Sequence, residues 1–187
     1  MGKVFLDMAV SLDGFISGPN NSDGGLHDWY FSETGKSQQI LEELQSGIGA
    51  MILGKHSFGN APDGFDTPYK VPHFILTHLA RATVNRDGAR FIFVTDGIQS
   101  ALEQAKTAAG DKDICIAGGA DIAQQYIRAG LLDEIRLHLV PVLLGNGLRL
   151  LENLGSEPIK LECSRVIEAP LATHIRYHVL KRGENHE

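Results

Sequence analysis

The apolar residues of this chain fall into short runs that are separated by stretches with helical spacing. The first run, Lys3–Val10, is rich in Val, Phe, Leu and Met, a composition typical of a strand. In Ser37–Ser46 the apolar positions recur on one helical face, which predicts a helix that ends at Gly47. Strand-like runs and helix-like stretches then alternate through the middle of the chain, and this alternation predicts an α/β protein.

Five more short apolar runs predict strands: Phe15–Ser17, Ala50–Leu53, Phe74–Thr77, Arg90–Thr95 and Asp113–Ala117. Further helices are predicted over Ile98–Ala109 and Asp121–Arg128. Glu134–Leu144 predicts a long strand, and Ile159–Glu168 with Thr173–Lys181 predicts a terminal hairpin. Helices between strands favour a mainly parallel sheet, to which the hairpin adds an antiparallel edge. No linker or repeat divides the chain, so we expect a single domain over residues 1–187.

Composition narrows the classes of function. Of the 187 residues, 43% are hydrophobic and 21% are charged, which is ordinary for a globular protein. The net charge of −6 argues against nucleic acid as a partner, because such proteins need a basic surface. Cys115 and Cys163 form no zinc or disulfide pattern, and no apolar run is long enough to span a membrane. With no targeting segment visible, we expect a cytoplasmic enzyme or binding protein for a small molecule, without a bound metal.

Two adjacent glycines, Gly118-Gly119, are the most informative local feature. They lie between the predicted strand Asp113–Ala117 and a helix that opens with Ala120, Asp121 and Ile122. Glycines let the backbone approach a ligand closely, and the first-turn N–H groups of a helix have no partners within it. Such a corner suits a phosphate or pyrophosphate. The alternative is a tight turn without a ligand, and the Gly-x-Gly-x-x-Gly fingerprint of Rossmann proteins is absent.

A second strand-to-helix corner follows Leu53 and has the sequence Gly54-Lys55-His56-Ser57. Lys55 offers a positive charge, while Ser57 and the backbone offer hydrogen-bond donors, and this combination suits a phosphate. The alternative is a solvated basic loop. Two such corners in one small α/β domain favour a two-ended ligand such as a dinucleotide.

A third corner follows the predicted strand Phe74–Thr77. Thr77, His78 and Arg81 place a hydroxyl and basic groups at the carboxyl end of that strand, where ligands of open α/β sheets gather. A basic group at this corner suits the 2′-phosphate of a ribose, which favours NADPH over NADH. A charged loop without a ligand is the alternative.

Polar residues interrupt two predicted strands and the loop after the first. Strand alternation places Asp7 on one face with Phe5 and Ala9 in an apolar run, so Asp7 needs a partner or a function unless the strand lies at an edge. Asp13 precedes a glycine, which is typical of a turn; the alternative is that Asp13 orients a substrate or relays a proton. His138 lies in an apolar strand, where it is either a hydrogen-bonded core residue or a ligand-binding or catalytic group.

The terminal strand carries two more histidines. His174 and His178 alternate with apolar residues and share one predicted face with Arg176. This pattern predicts the solvated face of a hairpin rather than a metal site.

Taken in order, five segments resemble the dihydrofolate reductase-like superfamily. The resemblance is greatest to stand-alone relatives of the reductase domain of bifunctional riboflavin-biosynthesis enzymes, the RibD C-terminal type. The segments that carry it are Met8–Ile16, Leu53–Phe58, Phe74–Thr77, Ile116–Ala120 and Leu131–Gly147. The resemblance implies a three-layer α/β/α fold with a mainly parallel central sheet and a C-terminal antiparallel hairpin. It also implies that NADPH binds across the strand ends.

The resemblance further implies which residues contact the cofactor. From the nicotinamide to the adenosine end, the implied contacts are Ala9, Ile16, Leu53, Gly54, Lys55, His56, Ser57, Gly118, Gly119, Ala120, Asp121, Ile122, Thr77, His78 and Arg81. In such a site the cofactor supplies the hydride, and the protein supplies position and electrostatics.

Three positions depart from these relatives. Asp7 stands where riboflavin-pathway reductases carry a lysine, so an anion replaces a cation suited to a ribosyl phosphate. Folate enzymes carry an acid near the position of Gln38, and its absence here argues against a pterin substrate. His138 holds a strand position that faces the substrate pocket in relatives. Asp7, Asp13 and His138 are therefore the candidates for proton delivery or substrate orientation.

Two classes of function stay open at this point. The first is an NADPH-dependent reductase that transfers a hydride to a small heterocyclic, carbonyl or imine substrate. The second is a non-catalytic nucleotide-binding or sensor protein on the same fold, because the substrate residues of both known branches differ here. A structural interaction module would neither bind nor turn over a nucleotide. Because relatives of this type often pair through their sheets and terminal hairpins, we also expect a homodimer.

Overall fold

The computed structural model of this chain describes residues 2–31, 35–59 and 63–181. Its strands are β1 Val4–Ser11, β2 Phe15–Ser17, β3 Ile48–Gly54, β4 Pro72–Leu76, β5 Val84–Arg86, β6 Ala89–Val94, β7 Asp113–Ile116, β8 Glu134–Val140, β9 Leu148–Arg149, β10 Leu161–Ala169 and β11 Ala172–Val179. Its α-helices are α1 Gly35–Gly47, α2 Lys55–Phe58, α3 Ile98–Ala109 and α4 Ala120–Arg128, and a 3-10 turn spans Asp28–Phe31.

One large sheet organises the molecule. Its strand order is β10-β11-β8-β1-β7-β3-β4-β6-β5, with all pairs from β8 to β6 parallel. The edges are antiparallel: β5 pairs with β6, and the hairpin of β10 and β11 joins β8. A separate small sheet pairs β2 with β9. The predicted α/β fold with a mainly parallel sheet and a terminal hairpin is confirmed.

Helices cover both faces of the sheet, which explains the apolar runs. All seven residues of β3 are buried, because a parallel strand between two helical layers has no solvated face. On β1, Leu6 faces the core formed with α3 and α4, whereas Phe5 faces Ile40 and Leu44 of α1. Side chains alternate along β1, so Asp7 shares the α1 face with Phe5.

Some boundaries differ from the prediction. The strand β8 ends at Val140 rather than at Leu144, because Pro141 has no N–H group to continue the ladder. The short strands β5 and β9 were not predicted, since two or three residues show no periodicity. Within the described ranges, no helix has the length and apolar character needed to cross a membrane.

Candidate functional site

Three loops meet where the parallel neighbours β7, β3 and β4 end. The carboxyl ends of parallel strands share one edge of the sheet, so the three predicted corners come together there. The backbone N–H of Gly54 donates to the carbonyl of Gly118 at 2.8 Å, which joins the first two corners. The guanidinium of Arg81 lies over the ring of Phe58, 5.4 Å from its centroid, and joins the third corner to α2.

The close approach of these corners depends on two glycines. A Cβ on Gly54 would lie 3.0 Å from Cγ1 of Ile122, so a larger residue there would press on α4. Gly118 has a φ of +115°, which L side chains rarely adopt. Gly119 differs, because its φ is −78° and an added Cβ would lie 3.6 Å from Oγ of Ser57. The backbone at Gly119 would therefore accept other residues, and the lack of a side chain there leaves the surface in front of α4 open.

The start of α4 offers donors for an anion. The N–H of Ala123 donates to the carbonyl of Gly119 at 3.0 Å and opens the helix, so the three preceding N–H groups have no partners within it. Ser57 adds a hydroxyl beside both glycines, and Lys55 is exposed on the adjacent corner. These groups fit a pyrophosphate in chemistry and position. The carboxylate of Asp121 accepts from Gln125 at 2.7 Å, and only its backbone N–H suits the anion.

The other predicted cofactor contacts lie in varied surroundings. The side chain of Leu53 is buried in the α1-side core, so only its backbone borders the corner. Ala9 packs with Trp29, whereas Ile16 packs against the core on the opposite face of the sheet. The hydroxyl of Thr77 accepts from the N–H of Leu79 at 3.2 Å. His56 and His78 are both exposed on the rim.

Asp7 and His138 are neighbours in the structure. The strand β1 lies at the centre of the sheet, so the edge position considered for Asp7 is wrong. In the register of β1 and β8, Ala9 pairs with His138. Nε2 of His138 lies 3.0 Å from Oδ1 of Asp7, and Nδ1 of His138 lies 2.7 Å from Nδ1 of His174. Nε2 of His174 lies 3.3 Å from Oγ of Ser37, so four side chains form a continuous chain.

The prediction of a solvated His174 is wrong. His174 is 4% exposed, because it pairs with His138 across β8 and β11 and because Trp29 and α1 cover that face. Sequence reasoning missed Ser37 as well, since the resemblance to folate enzymes directed attention to the neighbouring Gln38. Gln38 is exposed, whereas Ser37 is buried against the sheet. The unexplained Asp7 on the same face was the available signal for these partners.

Aromatic residues enclose the histidine pair. The ring of Trp29 lies 4.2 Å from that of His138 and 4.9 Å from that of His174, measured between centroids. The hydroxyls of Tyr30 and Tyr69 are hydrogen-bonded to each other, and burial raises the pKa of both. Neither tyrosine was predicted, because both lie in irregular segments without a recognisable pattern.

Two buried polar atoms in this cluster have no partner among the described residues: Oδ2 of Asp7 and Nε1 of Trp29. A buried polar atom without a hydrogen bond costs about 1–3 kcal/mol. Oδ2 of Asp7 is a hydrogen-bond acceptor, and Nε1 of Trp29 is a donor. Atoms of this kind indicate where a polar ligand would gain hydrogen bonds.

Asp13 has a different environment from the other two candidates. Its carboxylate accepts from the hydroxyl of Ser11 at 2.6 Å and from the backbone N–H groups of Leu144 and Gly145 at 3.1 and 2.7 Å. The bond from Ser11, with those from the two amides, lowers the pKa of Asp13 to about 2. An acid this strong is ionised at neutral pH and does not suit proton delivery. The geometry instead makes Asp13 a tether between the β1–β2 turn and the loop after β8.

The buried His174 predicts a pH-dependent stability. Burial, with the neighbouring His138, lowers the pKa of His174 from 6.5 to about 4. As the pH falls, the unfolded chain binds the proton first, so stability is full above about pH 6.5 and declines toward about pH 4. This histidine alone is expected to remove about 2 kcal/mol between about pH 7 and pH 5. Urea denaturation across this range, compared with His174→Asn, measures the effect.

Burial also lowers the pKa of His73, so part of the decline is expected to persist in that variant. The prediction is contradicted if the stability curves of the two proteins run parallel between about pH 7 and pH 5.

Comparison with known proteins shows which family this chain resembles in sequence and structure. Residues 2–172 match the model of the RibD C-terminal domain. The chain is 31% identical over 154 residues to YyaP, an uncharacterized protein of Bacillus subtilis (strain 168), and the match covers 78% of each chain. A putative riboflavin biosynthesis protein from Shewanella sp. PV-4 has a similar structure, with a TM-score of 0.74, 21% identity and coverage of 96% of this chain and 99% of that one.

A larger enzyme shares the fold over part of its length. This is the diaminohydroxyphosphoribosylaminopyrimidine deaminase/5-amino-6-(5-phosphoribosylamino)uracil reductase of Thermotoga maritima, with a TM-score of 0.64, 12% identity and coverage of 96% of this chain and 57% of that one. The chain is thus an α/β protein of the dihydrofolate reductase-like class. Within that class it belongs to the family of RibD C-terminal domains.

Proposed function

We propose that this protein is an NADPH-dependent reductase that acts on a C=N or C=O bond of a small heterocyclic or carbonyl substrate. The observation that carries the proposal is that a phosphate-type corner and a buried polar cluster lie beside consecutive residues of β1, on its two faces. Sδ of Met8 would lie 3.4 Å from a Cβ on Gly118, and Asp7, the preceding residue, faces His138 on the other side of the sheet. Membership of a reductase family supports the same reaction class.

NADPH would supply the hydride in this reaction. The first turn of α4, with Ser57 and Lys55, would hold its pyrophosphate through backbone donors, a hydroxyl and a positive charge. Asp7 would accept a hydrogen bond from an N–H group of the substrate through its unpartnered Oδ2. This contact favours a substrate with a donor edge, and an anionic group at the same place would be repelled.

Titration with NADPH tests the binding half of the proposal. Trp29 is the only tryptophan and is buried beside His138, so its fluorescence reports on this site. We expect quenching and a thermal shift with NADPH, and a weaker response to NADH. Unchanged fluorescence with no thermal shift at millimolar NADPH contradicts the proposal.

One observation favours the second candidate, a non-catalytic nucleotide sensor. The cavity that Asp7, His138 and His174 border has a volume of about 30 Å³, which suits water rather than a heterocycle. NADPH oxidation across a panel of aldehydes, imines, pterins and ribosylaminopyrimidines separates the two candidates. Binding of NADPH without turnover of any compound in the panel supports the sensor.

We further propose a homodimer that forms through the terminal hairpin. Val166, Ile175 and Leu137 form a row across β10, β11 and β8, because the strand register pairs each with the next. Val166 is 59% exposed, so a second copy would bury apolar area there. We expect sedimentation at twice the chain mass at micromolar concentration, and dissociation on Val166→Glu. The exposed Glu103→Lys on α3, away from the hairpin, is the control, and a monomeric wild type contradicts the proposal.

A further inference from the structure

The hydrogen-bonded chain Asp7–His138–His174–Ser37 has a defined proton direction. A carboxylate only accepts hydrogen bonds, so Nε2 of His138 carries the proton that faces Asp7. While that ring is neutral, its Nδ1 is an acceptor, and Nδ1 of His174 must donate to it. Nε2 of His174 then accepts from the hydroxyl of Ser37. Every proton in the chain therefore points toward Asp7.

A small cavity lies beside three of the four members of this chain. The cavity of about 30 Å³ is bordered by Asp7, His138 and His174 and is large enough for a water molecule. Glu43 and Arg165 line the same cavity, and their side chains are 45% and 38% exposed. The cavity thus extends from the histidine pair toward solvent between α1 and β10.

Positive charges lie beside the histidine pair on the side of the cavity. Arg136, Arg165 and Arg176 border the cavity, and they would repel a positive charge on His174. Burial, with the neighbouring His138, lowers the pKa of His174 to about 4. Charged and titratable groups surround the pair on each neighbouring element. On the strands they are Asp7 of β1, Glu134 and Arg136 of β8, Arg176 and His178 of β11 and Arg165 of β10. On the other elements they are Glu43 of α1, Tyr30 of the 3-10 turn and Tyr69 of the loop before β4.

From this arrangement we infer that His174 is a positioning residue, which fixes the proton of His138 on Nε2, where it faces Asp7. The inference rests on the proposed reductase function for its catalytic meaning. The geometry of the proton chain is a property of the protein itself and is testable without a substrate.

The proton balance of the step is closed. Each reduction takes up one hydride and one proton. The carboxylate of Asp7 would take that proton from water in the cavity that it borders and pass it to the reduced substrate, so that Asp7 returns to its ionised form. His138 keeps its proton on Nε2 and orients Asp7. Solvent loses one proton, and no further reductant is needed.

The proton positions are measured by ¹⁵N–¹H NMR of the histidine rings in the labelled full-length protein. At neutral pH we expect Nε2 of His138 and Nδ1 of His174 to carry the protons. His174→Asn keeps an N–H donor near Nδ1 and is expected to preserve the His138 tautomer, whereas His174→Leu is expected to release it. His178→Asn, on the same strand and face, is the control. A wild-type His138 protonated on Nδ1 overturns the inference.

Turnover measurements give the second readout. With a substrate from the panel, His174→Leu is expected to lower kcat by about tenfold or more and to enlarge the solvent deuterium isotope effect. His174→Asn is expected to restore most of kcat, and KM for NADPH should stay constant in both. An unchanged kcat and isotope effect in His174→Leu overturns the positioning role of His174. If the wild type turns over nothing while the ring protons lie as expected, the reductase proposal fails and the proton chain stands.

Discussion

Replacing Gly119 by aspartate is expected to weaken NADPH binding by about 100-fold or more while leaving the fold intact. The added carboxylate would stand at the start of α4, where the pyrophosphate is proposed to bind. Two unit charges about 4 Å apart repel by roughly 4 kcal/mol at an effective dielectric constant of about 20. The fold should tolerate the change, because φ of Gly119 is −78° and an added Cβ contacts only Oγ of Ser57 at 3.6 Å. Titration with Trp29 fluorescence measures the affinity.

Gly119→Asn is the matched control, since it has the same shape without the charge. We expect asparagine to weaken binding less than aspartate does, and the difference between the two variants to shrink as salt is added. Equal affinities for the aspartate and asparagine variants would show that no phosphate lies at this corner. Thermal unfolding of both variants near the wild-type temperature confirms that the comparison concerns binding and not folding.

The fold could be predicted because its main signals are local. The apolar run of β3 is long enough to indicate a buried parallel strand, and α3 begins and ends where its spacing and glycines place it. The pairing of β2 with β9 could not be predicted in this way. Those two strands are short and more than 120 residues apart, and their register depends on the tether that Asp13 forms with the loop after β8.

The candidate site was predictable only in part. The glycine corners have a sequence signature, because close backbone approach demands glycine at positions 54 and 118. His174 was misplaced because alternation identifies which residues share a face but not what covers that face. The cover comes from Ser37 and Trp29, which are distant in sequence, so only the tertiary structure shows that this face is buried.

Replacing Asp7 by asparagine is expected to lower kcat by about 100-fold or more, with the Kd for NADPH changed by less than about threefold. The substitution keeps the shape of the side chain. It removes the carboxylate whose Oδ1 lies 3.0 Å from Nε2 of His138 and orients that ring, and which would take up a proton in each turnover. The cofactor corner lies on other elements, so cofactor binding should persist. Single-turnover oxidation of NADPH with a substrate from the panel measures the first quantity, and Trp29 quenching measures the second.

The unfolding temperature of the same variant distinguishes a functional role of Asp7 from a structural one. Oδ2 of Asp7 is buried without a partner among the described residues, so the wild-type carboxylate carries a cost that an uncharged amide reduces. Asp7→Asn should therefore unfold at the wild-type temperature or above it while losing activity, as expected where a buried polar group without a partner is kept for function. Asp113→Asn, at the start of β7, is the matched control and should leave kcat unchanged. A clear loss of stability in Asp7→Asn with activity retained would assign Asp7 to the core and remove it from the reaction.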